Sequence, residues 1–254
     1  MRILILSAGY GTRLYPLTLN LPKSLVPVYD RPLMNFLIEK INVIEKKFPV
    51  KNAVIVSNNK FYKDFVSWKK KYKVKVGIVN DGSNTPEDRL GAVRDIEFGI
   101  AGKDDDWLIL GGDNLFEDKL LGFIDFAYKK NSPCVGVYDV KNKKSASRYG
   151  IIKTDKNKRI IKFEEKPKKP FSTLAATCIY FFPKKSIKFL NMFLKKEKAA
   201  DAAGKYIKWL ITKTEVYGYV FSGNWTDIGH IDSLMMAEKK YKAILRRENA
   251  IRKS

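Results

Sequence analysis

One histidine, His230, stands in 254 residues, beside two cysteines, Cys134 and Cys178. A single histidine excludes a two-histidine metal site and a relay of several histidines within the chain. Two cysteines supply neither a disulfide framework nor a cysteine-rich zinc site. Long apolar runs are missing too: no stretch approaches the roughly 20 apolar residues of a membrane span. Met1–Leu6 is too short to be the apolar segment of a signal peptide, and it runs at once into a glycine-rich turn. These absences lead to the expectation of a soluble, cytoplasmic protein with no membrane partner.

Acidic residues are scarce: 27 Asp+Glu against 49 Lys+Arg give a formal net charge of +22. Such a balance points first to nucleic acid. Arginine is scarce as well, at only ten of those 49 positions, and lysines recur nearly throughout, as around Lys69–Lys71, Lys141–Lys144 and Lys195–Lys198. Readers of nucleic acid usually concentrate arginine and aromatics on one face. The excess therefore reads as a solvated lysine surface, and no specific nucleic-acid partner is expected. With 45% apolar and 13% aromatic residues, the chain can build a sizeable core.

Apolar patterning alternates strand and helix. Ile3–Leu6, Ala53–Val56, Val74–Val79, Trp107–Leu110 and Pro133–Val140 read as strands. Leu33–Glu45, Phe61–Lys71, Leu90–Ile100 and Leu120–Lys130 read as the helices between them. That order predicts an α/β fold with a Rossmann-like, mainly parallel mixed sheet flanked by helices. Past residue 140 the pattern changes. Strands are expected at Tyr149–Lys153, Ile160–Glu164, Thr177–Phe182 and Val216–Phe221, and helices over 184–197, 200–212 and Ile231–Arg247. With no internal repeat and no flexible linker, residues 1–254 are expected to form one continuous domain carrying an insertion.

The strongest chemical signal follows the first strand. Leu6-Ser7-Ala8-Gly9-Tyr10-Gly11-Thr12-Arg13-Leu14-Tyr15-Pro16-Leu17-Thr18 is followed closely by Pro22-Lys23-Ser24-Leu25-Val26-Pro27-Val28. Glycines there let the backbone approach a phosphate, and its N–H groups can cradle the oxygens. Arg13 and Lys23 add positive charge to the same loop. The string is neither of the common phosphate motifs. Gly9 and Gly11 lack the third glycine of the dinucleotide fingerprint, and no GxxxxGK[ST] exists. Taken whole, it resembles the signature of the sugar-1-phosphate nucleotidylyltransferases, the group that includes glucose-1-phosphate thymidylyltransferases and UTP–glucose-1-phosphate uridylyltransferases.

Four further segments match that family in order, and the similarity runs from Arg2 to about Ala237. The resemblance implies an NTP and a sugar-1-phosphate as substrates and an NDP-sugar and pyrophosphate as products, with dTTP or UTP and a hexose-1-phosphate expected. It implies nucleotide contacts from Ala8, Gly9, Gly11, Thr12, Gly91 and Ala92. Gly112-Asp113-Asn114 and Trp225-Thr226-Asp227-Ile228-Gly229 imply Asp113 and Asp227 as carboxylates holding Mg²⁺, or Mn²⁺ in its place. Oxygen donors without histidine suit these ions rather than zinc. Tyr149-Gly150 and Glu164-Glu165-Lys166-Pro167 imply a sugar site from Asn114, Tyr149, Gly150, Glu165 and Thr177, with Lys166 on the sugar phosphate. Arg13, Lys23 and Lys166 are thus the expected catalytic cations. Residues 1–140 would form the NTP-binding half, 141–230 the sugar-phosphate half, and 231–254 a C-terminal helix.

The chain departs from the family in places. Asn80–Ala92 aligns with the usual base-reading segment only at Gly91-Ala92, and Ala176-Thr177-Cys178-Ile179-Tyr180 replaces the usual Asn-Ala-Gly-Ile-Tyr. Cys178 is expected to be a small packed residue, and His230, where relatives often carry threonine, a cap or surface residue. No hexapeptide-repeat region follows the terminal helix in this sequence, so acetyl transfer is not expected of it. Base, sugar and oligomeric state stay open, a homo-oligomer included. Two other readings are a cytidylyltransferase acting on a phospho-alcohol such as phosphocholine, and a non-catalytic nucleotide-binding regulator. The presence of Tyr149-Gly150 and Glu165-Lys166 favours a sugar over the first. Retention of Lys23, Asp113 and Asp227 disfavours the second.

Overall fold

Strand β1 (Arg2–Leu6) holds Ile3, Leu4 and Ile5 with no solvent exposure. A strand whose successive side chains are all buried needs cover on both faces, and this one lies inside a sheet sandwiched by helices. The computed structural model describes residues 1–197 and 202–251, with side chains described through Lys242. After β1 come β2 (Pro27–Val28), β3 (Arg31–Pro32), α1 (Leu33–Glu45), β4 (Ala53–Ser57), α2 (Tyr62–Lys71), β5 (Gly77–Asn80) and α3 (Ala92–Ile100). Next are β6 (Trp107–Gly111), β7 (Asn114–Phe116), α4 (Leu121–Lys130), β8 (Cys134–Asp139), α5 (Lys143–Ala146), β9 (Gly150–Thr154) and β10 (Ile160–Glu165). The chain continues through β11 (Leu174–Phe182), α6 (Ile187–Lys196), α7 (Ala203–Leu210), β12 (Tyr217–Val220), β13 (Trp225–Asp227) and α8 (Ile231–Ile251).

The main sheet has the order β10-β9-β11-β6-β1-β4-β5, with β8 pairing β11 and β12 beside this path. Across β5, β4, β1 and β6 the pairing is parallel. Antiparallel β11 then joins β6 to the hairpin β9–β10. The expected mixed α/β class therefore holds. From β1 the chain steps outward to β4 and β5, then returns to place β6 on the other side of β1. That reversal opens a crevice at the carboxyl ends of β1 and β6, the general ligand position in such sheets.

Two apolar layers cover the sheet. One joins Ile3, Ile5, Leu108 and Leu110 to Met34, Leu37 and Ile41 of α1, Phe65 and Trp68 of α2, and Phe123 and Ile124 of α4. The other joins Leu4, Val56, Trp107 and Ile109 to Val93 and Ile96 of α3, Leu190 and Phe193 of α6, and Tyr206 and Ile207 of α7. A third cluster docks α8, through Leu234 and Ala237, on Leu14, Val26, Val28 and Phe36.

Several expected boundaries move. The strand expected at Val74–Val79 starts only at Gly77, because the Val74 N–H still donates to the Lys69 carbonyl and prolongs the end of α2. The helix expected over 184–197 opens with a 3₁₀ turn at Lys184–Ser186 before α6. The helix expected over 200–212 runs Ala203–Leu210, and positions 200 and 201 of that expectation lie outside the described residues. So do positions 252–254 of the expected terminal helix.

Candidate functional site

At the end of β1 the chain makes a tight loop that only glycine fits at position 11. Gly11 has φ 63°, and a Cβ there would lie 3.2 Å from both Lys23 Cβ and Thr18 Cγ2. The Thr18 hydroxyl donates to the Gly11 carbonyl at 2.7 Å and closes the loop. Lys23 is thereby pressed against the glycine turn. A second close approach lies at Gly112, where a Cβ would meet Ser7 Oγ and Ser24 Oγ, themselves 3.0 Å apart. These contacts dock the Asp113 turn onto Ser7 and Ser24, the two ends of the glycine loop.

Lys23 Nζ lies 2.5 Å from Asp113 Oδ2 and 3.8 Å from Asp227 Oδ1. Asp227 reaches this point on a small ribbon, β7–β13, in which it pairs with Asn114. The Ile228 N–H also donates to the Asp113 carbonyl at 3.1 Å. Burial pushes the Asp227 carboxyl above the usual carboxylate range, and the Asp113 charge adds to the rise, while Lys23, Arg13 and His230 oppose it. Two carboxylates held together in partial burial need a cation between them. The Lys23 ammonium answers that need here. The same pair of hard oxygen donors fits Mg²⁺ or Mn²⁺, which take one or two carboxylates and complete their shell with substrate phosphates and water. Among the described residues no cluster of three or more histidine, cysteine or acidic residues could hold a metal by itself.

The sugar-side motifs meet across β9 and β10. Glu165 pairs with Gly150, and the Lys166 N–H donates to the Tyr149 carbonyl at 3.0 Å. The Glu165 carboxylate lies so near α7 that a Cβ on Gly204 would fall 1.9 Å from its Oε2. Burial raises the Glu165 carboxyl, partly offset by Lys166, whose Nζ is 4.0 Å away and largely exposed. The Tyr149 ring packs on Trp225 with centroids 4.9 Å apart. The indole N–H of Trp225 donates to Asn114 Oδ1 at 2.7 Å, and Asn114 Nδ2 donates to Asp113 Oδ1 at 3.0 Å. A continuous chain of contacts thus runs from Lys166 to Lys23 through Tyr149, Trp225, Asn114 and Asp113.

Two of the expected sugar ligands do not face the cleft. Thr177 is buried, and its hydroxyl donates to the Gly136 carbonyl of β8 at 2.9 Å. Strand alternation turns Thr177 away and gives the cleft side of β11 to Ala176 and Cys178. Asn114 is buried as well. Its amide bonds Asp113, Trp225 and the Gly111 carbonyl, which holds the Asp113 carboxylate in place. Cys178 packs as expected, and burial raises its thiol above the usual range. On the nucleotide side, Ala8 is buried in the cluster that holds Val93, and its carbonyl accepts from Asn58 Nδ2 at 2.9 Å. Gly91, with φ 86°, and Ala92 open α3. Gly9 and Thr12 are unobstructed at the loop surface, and no atom lies within 4 Å of a Cβ placed on Gly9.

Sequence reasoning missed Arg148 and the ring of His230. Arg148 Nη1 lies 3.4 Å from His230 Nε2, bringing the segment before β9 against the segment before α8. His230 is a helix cap as expected, its Nδ1 accepting from the Ser233 N–H at 3.1 Å. The signal for Arg148 was its place next to Tyr149-Gly150.

Comparison with known proteins gives the family. The sequence profile of the nucleotidyl transferase family matches residues 2–244. The bifunctional protein GlmU of Methanocaldococcus jannaschii is 30% identical over 239 residues, covering 94% of this chain and 54% of that protein. The GlmU of Methanococcus aeolicus is 31% identical, covering 90% and 51%. The chain spans about half the length of these curated relatives. A solved structure from Bacillus anthracis, described as a glucose-1-phosphate thymidylyltransferase in complex with sucrose, superposes with a TM-score of 0.79 at 24% identity, covering 94% of both chains. A UDP-glucose pyrophosphorylase complexed with UDP-glucose gives 0.78 at 19%, covering 95% of this chain and 98% of that one. At such identities the two structures speak for the fold, while the profile and the GlmU relatives carry the family. The chain belongs to the nucleotidyl transferase family.

Proposed function

We propose that this chain transfers a nucleotidyl group from an NTP to a sugar-1-phosphate and releases pyrophosphate. The observation that carries the reading is Lys23 held between Asp113 and Asp227, on a line of contacts that ends at Glu165 and Lys166. In one cleft this aligns cations for two phosphates with a pair of carboxylates.

The reaction needs little proton chemistry. A phosphate monoester is largely dianionic at neutral pH, since its second pKa is about 6. Its oxygen attacks the α-phosphorus of the NTP. The new P–O bond forms as the bond to the α–β bridging oxygen breaks, and pyrophosphate leaves with that electron pair. Catalysis is then positioning and charge neutralisation. Arg13 neutralises the triphosphate, Lys23 steadies the α-phosphate, and Lys166 holds the sugar phosphate. Glu165, beside Gly150, accepts from sugar hydroxyls, and Tyr149 walls the pocket against Trp225. The backbone of Gly9, Gly11 and Thr12 lies against the nucleotide, with Gly91 and Ala92 at its base. Asp113 and Asp227 would hold Mg²⁺, which when bound supplies Lewis-acid stabilisation to the phosphates.

Residues 1–140 then serve the NTP and 141–230 the sugar phosphate, within one catalytic unit. Bases expected are thymine or uracil and the sugar a hexose. No nucleic-acid partner is proposed, and the setting proposed is the cytoplasm. No described helix is long and apolar enough to cross a membrane. A panel of the four NTPs against several sugar-1-phosphates, read by pyrophosphate release, tests the reading. Release that requires both substrates supports it, and release from none of the pairs sinks it.

A further inference from the structure

We infer that Arg148 and His230 form a two-sided clamp for the pyrophosphate end of the NTP. This rests on the nucleotidyl-transfer reading above and extends it to two residues with no role there. The two side chains come from opposite walls. Arg148 precedes β9 on the sugar side, and His230 precedes α8, next to Gly229 on the Asp227 ribbon. They meet at 3.4 Å, Nη1 to Nε2.

That contact is a mismatch of donors. The Ser233 N–H donates to His230 Nδ1 at 3.1 Å, which fixes Nδ1 as the acceptor. The ring that accepts at Nδ1 carries its proton on Nε2. That Nε2–H points at the guanidinium, which has donors only. Two N–H groups from facing walls converge with no acceptor between them. Among the described residues no carboxylate pairs with Arg148. An oxyanion entering between the two groups would satisfy both.

Position selects which anion. A Cβ on Gly229 would lie 3.4 Å from Arg13 Nη2, so Arg13 stands one residue from His230. Arg148 is the chain neighbour of Tyr149, and the charges of Arg148 and Arg13 both favour ionisation of its hydroxyl. Arg13, His230 and Arg148 thus line one rim of the cleft. Glu165 lies against Gly204 of α7, with Lys166 Nζ 4.0 Å from it. The sugar phosphate belongs to the Lys166 end, and the rim of three donors is left for the β- and γ-phosphates and for the departing pyrophosphate.

The test is calorimetric titration of inorganic pyrophosphate, and separately of glucose-1-phosphate, into the full chain with Mg²⁺ present. Variants are Arg148→Ala, Arg148→Lys and His230→Asn. Asparagine is a good N-cap and can still accept from the Ser233 N–H, so His230→Asn removes the Nε2 donor while keeping the cap. Loss of one hydrogen bond to a charged group predicts pyrophosphate binding weaker by about tenfold in Arg148→Ala and in His230→Asn. Arg148→Lys should recover part of the loss, and glucose-1-phosphate affinity should change less than about twofold in all three. His230→Asn should melt within about 2 °C of the parent, since the cap survives. Unchanged pyrophosphate affinity in both Arg148→Ala and His230→Asn overturns the clamp and leaves nucleotidyl transfer standing. Weakened sugar-phosphate binding with unchanged pyrophosphate binding overturns the assignment of the anion. A parent chain that binds neither pyrophosphate nor any NTP overturns the clamp together with the reading beneath it.

Discussion

Lys23 and Asp113, ninety positions apart in the chain, hold one another at 2.5 Å at the mouth of the crevice between β1 and β6. The pair exists because Gly11 lets the Lys23 segment lie against the end of β1 and Gly112 lets the Asp113 turn lie against Ser7 and Ser24. Lys23 answers the charge of Asp113 and Asp227. In the proposed reaction the two carboxylates would hold a divalent cation and Lys23 would steady the α-phosphate.

Asp113→Asn and Asp227→Asn should each lower the rate of pyrophosphate release by about a thousandfold, since a catalytic metal supplies several kcal/mol of transition-state stabilisation. The fold should survive. For Asp227 the sign can be worked out. Burial and Asp113 raise its folded pKa above the unfolded value, so the native state binds the proton more tightly. Native stability then falls as pH rises from the unfolded to the folded pKa, and the ionised group detracts from stability above that window. Asp227→Asn should thus melt at or above the parent temperature at pH 7 with chelator present. A clearly lower melting temperature contradicts this electrostatic account.

Lys166→Ala should raise KM for the sugar phosphate by about tenfold while changing KM for the NTP much less, because its exposed ammonium lies at the Glu165 end of the cleft. Initial-rate kinetics with each substrate varied in turn check this. A change confined to the NTP contradicts the role.

Gly204→Ala separates site geometry from stability. The new Cβ would fall 1.9 Å from Glu165 Oε2 and 3.1 Å from Phe163 Cζ, so the flexible carboxylate swings away and the buried ring has to give slightly. Gly204 stands in the first turn of α7, where alanine gains less than in a helix interior. The variant should melt within about 4 °C of the parent yet show a raised KM for the sugar phosphate. Unaltered kinetics would remove Glu165 from the sugar site.

Asp105 gives a pH signature remote from the cleft. It binds Arg2 at 2.6 Å and Lys51 at 2.5 Å, tying together the segments that enter β1, β4 and β6. Hydrogen bonds from Lys51 and Arg2 lower its carboxyl to about 2, below the unfolded value of about 3.9. A depressed folded pKa stabilises the native state above the unfolded pKa, and the contribution disappears as pH falls through about 2. Asp105→Asn should therefore unfold at lower urea than the parent at pH 7, with the difference shrinking below pH 4 and mostly lost by about pH 2. An equal difference at pH 7 and pH 2 contradicts the assignment.

Much of this was legible in the sequence where local signals were strong. Helix α1 occupies Leu33–Glu45 as its apolar spacing predicts, with Pro32 just before it. The buried strands β1, β4 and β6 show as short apolar runs followed by turns. The ribbons β2–β3 and β7–β13 were not legible, since strands of two or three residues carry no period. The loops that carry the motifs gather in one cleft, but motif membership does not reveal side-chain direction. Thr177 and Asn114 belong to matching segments, and alternation and burial turn both inward. His230 looked like a cap and is one. What the sequence could not show is that its second ring nitrogen meets Arg148, 82 positions away.

The most direct measurement of the central claim is pyrophosphate release by the purified chain with Mg²⁺, each NTP being paired in turn with glucose-1-phosphate, other sugar-1-phosphates and phosphocholine. Nucleotidyl transfer to a sugar predicts release that needs both an NTP and a sugar-1-phosphate, is fastest with dTTP or UTP, and stops on chelation of the metal. Release that proceeds with phosphocholine and with no sugar-1-phosphate would contradict it.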